Sequence, residues 1–279
     1  MSSPGVGIRT VLALMGVAAA CCCLGSPSAK AEDATAIPLS EETMARADAA
    51  TAAGGKLVEL LSTVRTDLRA TKYQARTVVR PRDGYYAWDC SGMVGWVLQR
   101  SAPRARRAVP GTRPVARDFF HAIERAPTDR ARKGWQRIHV SQVKAGDTFA
   151  WLKSPISTSK ITGHVGFAVG PAHQVAGWPG AYAVRIVDAT RLPHQDDTRV
   201  MNGDGGFGFG TMVFVTDASG DEVIAYAWFG TEYLPRTRNQ RMRVGENGER
   251  TGTIDDLPNE LWPYLGFMPA RVVFGRPSA

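Results

Sequence analysis

The sequence predicts an α+β fold, with N-terminal helices packed on an antiparallel β-sheet that follows them in the chain. Apolar residues recur at helical spacing as far as residue 125, and from Lys144 onward the chain turns to short apolar segments separated by turn residues. Helices first and strands after is the order of an α+β domain, and neither an internal repeat nor a long low-complexity tract interrupts it. With 44% hydrophobic and 22% charged residues in a chain of 279, the composition is ordinary for a globular protein able to bury a full core.

Residues 1–31 read as a secretory leader. Arg9 precedes an apolar run over 11–24, and small residues lead to Ala29-Lys30-Ala31, an A-x-A cleavage site rather than the flank of a membrane span. Cys21, Cys22 and Cys23 lie in that run and leave with it, so Cys90 is the one thiol expected in the exported chain. A competing reading makes Ala18-Ala19-Ala20-Cys21 a lipobox with Cys21 as a lipid anchor, although the usual leucine is missing. Both readings place the protein in the periplasm or outside the cell, and no later run is long enough for a transmembrane segment.

Residues 32–72 are expected to form an N-terminal helical arm. A helical pattern over 41–69 is broken near Gly54-Gly55, and Leu57, Leu60, Leu61, Val64 and Leu68 make one apolar stripe after the break. Arg80-Pro81-Arg82-Asp83-Gly84 is a turn leading into Tyr85-Tyr86-Ala87-Trp88. The next helix runs over 90–100, with Asp89 as its N-cap, Met93, Val94, Val97 and Leu98 on one face, and Pro103 as its stop. Another helix is expected over 114–125. Strands follow over 147–152, 164–169 and 181–188, then a hairpin of 212–216 and 223–229 about Ala218-Ser219-Gly220-Asp221, and a last strand over 271–274.

Charge narrows function only slightly. The formal +8 suits an anionic cell envelope. The run Arg104-Ala105-Arg106-Arg107 is more simply a solvated loop, and no nucleic-acid signature accompanies it. The run "NGDGGFGFG" over 202–210 lacks the Lys-Ser/Thr of a phosphate loop and the ligand spacing of an EF-hand, which leaves a glycine-rich turn beside the cleft. No cofactor and no metal site is expected. Trp178, Trp228 and Trp262 suit either a sugar or peptide groove or the core.

The chemistry centres on Cys90. Most cysteines pair in an oxidising compartment, so an unpaired one is either a buried inert residue or a reactive thiol. At a helix start, free N–H groups and the positive end of the helix dipole stabilise a thiolate, and Gly92 leaves room there for a backbone or a substrate. A nucleophilic thiol needs a base. Of five histidines, His121 sits in an amphipathic helix, and His139 and His194 carry no particular signal. His164 opens "HVGFAVG", a polar ring at the head of an apolar strand. If Gly170 and Tyr182 face each other across an antiparallel pair, the same register places His164 opposite Asp188, whose carboxylate would orient the imidazole. His173 and Gln174 remain substitutes for Asp188, which is otherwise a strand-end turn residue.

Three motifs in order carry a resemblance. "DCSGMVGWVL" resembles the nucleophile motif of the NlpC-type, papain-like cysteine peptidases, "KAGDTFAW" the Gly-Asp strand that follows it, and "HVGFAVG" their histidine strand. Together they span about residues 73–188. The resemblance implies a papain-like NlpC-type core in a catalytic domain over 73–230, with 231–279 an extension that completes or flanks the sheet. It also implies a metal-independent thiol peptidase of bacterial cell walls, with Cys90 and His164 carried over directly. Asp188 departs from the family pattern, since it follows a longer loop and replaces the more usual histidine or amide. No repeated wall-binding module is visible.

The expected function is an exported cysteine hydrolase, an endopeptidase or amidase, that cleaves amide bonds in peptidoglycan or muropeptides with Cys90, His164 and Asp188. The alternatives are an acyl or amide hydrolase or transferase on a non-wall substrate, and a catalytically silent envelope-binding module.

Overall fold

The computed structural model describes residues 48–153, 160–201, 203–232 and 266–279. The expected leader, the lipobox cysteine and Trp262 lie outside the described residues. Four α-helices are present among the described residues: α1 (Ala52–Asp67), α2 (Cys90–Ser101), α3 (Pro103–Ala108) and α4 (Ala116–Glu124). Ten strands accompany them: β1 (Ala70–Tyr73), β2 (Val78–Arg80), β3 (Tyr85–Trp88), β4 (Trp135–Ile138), β5 (Thr148–Leu152), β6 (Gly163–Gln174), β7 (Ala181–Thr190), β8 (Gly206–Thr216), β9 (Val223–Ala227) and β10 (Phe267–Pro277).

The predicted papain-like NlpC-type α+β core, helices packed on an open antiparallel sheet, is overturned. Strands β5 to β10 form a closed six-stranded antiparallel barrel in the order β10-β5-β6-β7-β8-β9, and β10 pairs with β9 to shut it. The chain is mostly β, and the helices lie outside the barrel wall. Closure depends on β10, whose first half pairs with β9 and whose second half pairs with β5 and then β4, with an irregularity between Pro269 and Val272 that re-aims the strand. A sheet whose first and last strands meet has no exposed edge.

Alternation along the strands sorts the two faces. Phe149 and Trp151 of β5, Ile186 of β7, and Met212 and Phe214 of β8 share one buried cluster with Phe274 of β10. Val165 and Phe167 of β6, Val187 of β7, and Phe207 and Phe209 of β8 belong to a second cluster with Leu57, Leu61, Met93, Val94, Val97 and Phe119 from the helices. The barrel therefore buries one face of its wall within itself and the other beneath α1, α2 and α4.

Local structure departs from the expected pattern at several points. Gly54 and Gly55 do not break the first helix but sit buried in its first turn, capped by Thr51 Oγ1, which accepts the Gly54 N–H at 3.0 Å. Pro103 does stop α2, and its fixed φ also starts α3 at once. The glycine-rich run forms no turn from Gly206 onward and is the first half of β8. A small sheet of order β1-β3-β2 leads the chain into α2, with β1 parallel to β3.

Candidate active site

Asp89 caps α2 with extended backbone, its Oδ1 accepting the Gly92 N–H at 2.7 Å and the Ser91 hydroxyl at 2.9 Å. Cys90 is the first residue of the helix and is 7% exposed. Gly92 has no room for a Cβ, which would collide with Thr77 Oγ1, so the close neighbour is a side chain of the β1–β2 connection.

His164 lies at the start of β6 and is 7% exposed. Its Nε2 lies 2.6 Å from Asp188 Oδ2 on β7, and Asp188 is wholly buried. The register that joins them differs from the expected one. Phe167 pairs with Val187 and Ala168 with Ile186, while a bulge before Ala172 shifts the far half so that Gln174 pairs with Tyr182. Continuing the near register puts Asp188 two residues away from the position directly opposite His164. A slip of two keeps both side chains on one face and makes them diagonal neighbours, which still meet. His173, opposite Ala183 beyond the bulge, and Gln174 lie on the far half of β6.

With Nε2 committed to Asp188, Nδ1 is the ring nitrogen left for sulfur. Burial draws the His164 pKa down, but attraction to Cys90 and hydrogen bonds to Asp188 and Cys90 outweigh it and push it up to about 9. Aromatic rings fence the imidazole, with the Trp151 centroid at 4.8 Å and that of Trp228 at 5.7 Å. Trp228 is thus a wall of the histidine site. Trp178 instead packs edge-on against Phe267, 5.5 Å away.

Three further neighbours of the pair carry no signal in the sequence. His194 places Nε2 at 2.9 Å from the same Asp188 Oδ2, and its Nδ1 lies 3.0 Å from the Trp228 carbonyl. Arg199 Nη1 lies 2.8 Å from Asp188 Oδ1 as an ion pair, out of line for a hydrogen bond. Burial works to raise the Asp188 pKa, yet the charges of Arg199 and His194 and hydrogen bonds from both imidazoles hold it well below the usual carboxylate range. Tyr73, half-buried on β1, is the third: burial, then the negative charges of Cys90 and Asp89, raise its hydroxyl above the usual tyrosine range, so it keeps its proton as a donor.

The other histidines serve elsewhere. His121 Nδ1 lies 3.0 Å from Glu124 Oε2 on α4, and His139 faces Ser141 and the Gly220 carbonyl. Among the described residues, no group of His, Cys, Asp and Glu could hold a metal ion, and no helix is long and apolar enough to cross a membrane. Three cavities of about 300–630 Å³ open elsewhere among the described residues, and none of the three is lined by Cys90 or His164. No family model matches the chain, and no curated protein or solved structure matches it.

Proposed function

We propose that the protein is a cysteine hydrolase that cleaves amide bonds in peptidoglycan peptides. The observation that carries this reading is the 2.6 Å contact between His164 Nε2 and Asp188 Oδ2, which leaves the opposite ring nitrogen for Cys90 at the start of α2. Cys90 Sγ attacks the scissile carbonyl while His164 holds the thiol proton, then gives it to the leaving amine. Water completes the cycle by attacking the thioester with His164 as base. Asp188 fixes the ring and balances its charge, the part a third residue plays in such sites. The Cys90 N–H, in the first turn of α2 where no intrahelical acceptor is available, is the first candidate oxyanion donor, and the Tyr73 hydroxyl is the second.

The substrate class rests on two sequence features: the leader-like residues 1–31 and the motif resemblance of "DCSGMVGWVL" and "HVGFAVG" to wall peptidases. Turnover of purified muropeptides, compared with that of simple acyl esters by wild type and Cys90→Ala, tests it. The reading expects muropeptide cleavage that disappears in the variant. Ester turnover with intact muropeptides would favour a non-wall hydrolase. Binding to sacculi without turnover of either substrate would favour a silent binding module.

A further inference from the structure

We propose that His194 and Arg199 are positioning residues of the Cys90–His164 pair and act through Asp188, an inference that rests on the cysteine-hydrolase reading. Both come from the connection after β7, which folds back onto the strand it has just left. Arg199 grips Asp197 with two nitrogens, Nε at 2.9 Å from Oδ1 and Nη2 at 2.7 Å from Oδ2. Asp197 Oδ2 accepts the His194 N–H at 2.7 Å, and Oδ1 accepts the Arg199 N–H at 2.7 Å. A closed ring results, running from Asp188 to His194, Asp197, Arg199 and back to Asp188. All four side chains are at most 4% exposed.

The ring has a function that packing alone does not require. A buried carboxylate with no counter-charge takes up a proton, and a protonated Asp188 would no longer balance the charge of the His164 imidazolium. Arg199 and His194 keep it an anion. His194 is itself fixed by the Trp228 carbonyl on Nδ1 and by the Trp228 ring, whose centroid is 4.2 Å away. The groups facing Asp188 are His164 from β6 and His194 and Arg199 from the loop. Asp197 stands behind Arg199, Cys90 of α2 lies beyond His164, and Tyr73 of β1, with Asp89 and Arg191 near it, is close enough to feel the charges of Cys90 and Asp188.

The glycine-rich start of β8 makes this ring possible. Gly208 pairs directly with Asp188 and Gly210 with Ile186, so both face the same side. A Cβ on Gly208 would meet Arg199 Nε at 2.5 Å, and one on Gly210 would meet His194 Cβ at 2.5 Å and Asp197 Oδ2 at 2.8 Å. The alternating glycines of "GFGFG" clear a trench in the wall through which the loop side chains reach Asp188. The intervening Phe207 and Phe209 turn to the opposite face and pack under the helices.

The test is the rate of Cys90 alkylation by iodoacetamide from about pH 5 to 9, with melting temperatures alongside, in wild type, His164→Ala, His194→Gln, His194→Asn and Gly210→Ala. In wild type the reaction draws on charged His164 beside the sulfur, so His164→Ala slows it. His194→Asn and Gly210→Ala should slow the reaction by about tenfold at the acid end of the range, since each weakens the support of Asp188. His194→Gln restores the N–H at the place of Nε2 but not the charge, so its profile falls between those of wild type and His194→Asn. A folded His194→Asn and Gly210→Ala with the wild-type profile would overturn the positioning role alone. A His164→Ala profile identical to wild type would overturn the hydrolase reading and this inference with it.

Discussion

Asp188 Oδ2 lies 2.6 Å from His164 Nε2, and this pair joins two barrel strands at the point where α2 presents its first residue, Cys90. Replacing Asp188 by Asn removes the charge that balances the imidazolium and leaves Arg199 without one of its two counter-ions. Hydrolysis should fall by roughly 10²–10⁴-fold, and stability by about 3–5 kcal/mol, as when one member of a buried ion pair is removed. Steady-state rates and urea unfolding measure the two losses separately. A variant with wild-type turnover would remove Asp188 from the mechanism.

The pH dependence of stability follows from two shifts of opposite sign. The folded pKa of His164 is raised to about 9 from 6.5, so its contribution is complete below about 6.5 and is lost as pH rises through about 9. That of Asp188 is depressed, so its contribution is complete above the ordinary carboxylate range and is lost as pH falls through the lowered value. The stability difference between wild type and His164→Ala should therefore be largest near about pH 6 and shrink by about pH 9.5. Urea titrations across that range read it directly. A difference that grows with pH would mean the imidazole is not held in its charged form.

Tyr73 offers a separable test of the oxyanion site. Tyr73→Phe keeps the ring against Arg191, whose guanidinium carbon is 5.9 Å from the ring centroid, and removes only the donor. The kcat should drop by about 10²-fold, the scale of a lost oxyanion donor, with alkylation of Cys90 nearly unchanged. Equal losses in both assays would instead tie Tyr73 to the state of the sulfur.

Barrel closure predicts a site-independent effect. Phe274 on β10 is 1% exposed and contacts Phe149 and Phe214 with ring centroids at 6.5 and 5.0 Å. Phe274→Ala should cost about 3–5 kcal/mol, the usual range for a buried aromatic. Thermal unfolding followed by tryptophan fluorescence reports it. A loss under about 1 kcal/mol would show that the closing strand contributes little.

What can be read from the chain is local. The Asp89 cap, the start of α2 at Cys90 and the polar head of the His164 strand all follow from neighbouring residues. The barrel does not, because β9 and β10 pair across the 39 positions between Ala227 and Phe267 and nothing local marks them as partners. The same limit hides His194. Its neighbours Pro193 and Gln195 suggest only a loop, and its contact with Asp188 arises from folding back onto β7. Asp188 is legible beside His164 even from a register displaced by two residues, because an even slip keeps a strand's faces unchanged.

Mass spectrometry of purified sacculi digested with wild type and with Cys90→Ala tests most directly whether Cys90 cleaves wall peptides. Wild type should release peptide fragments newly ended at a cleaved amide bond, and the variant none above the no-protein control. Fragments released equally by both would contradict it.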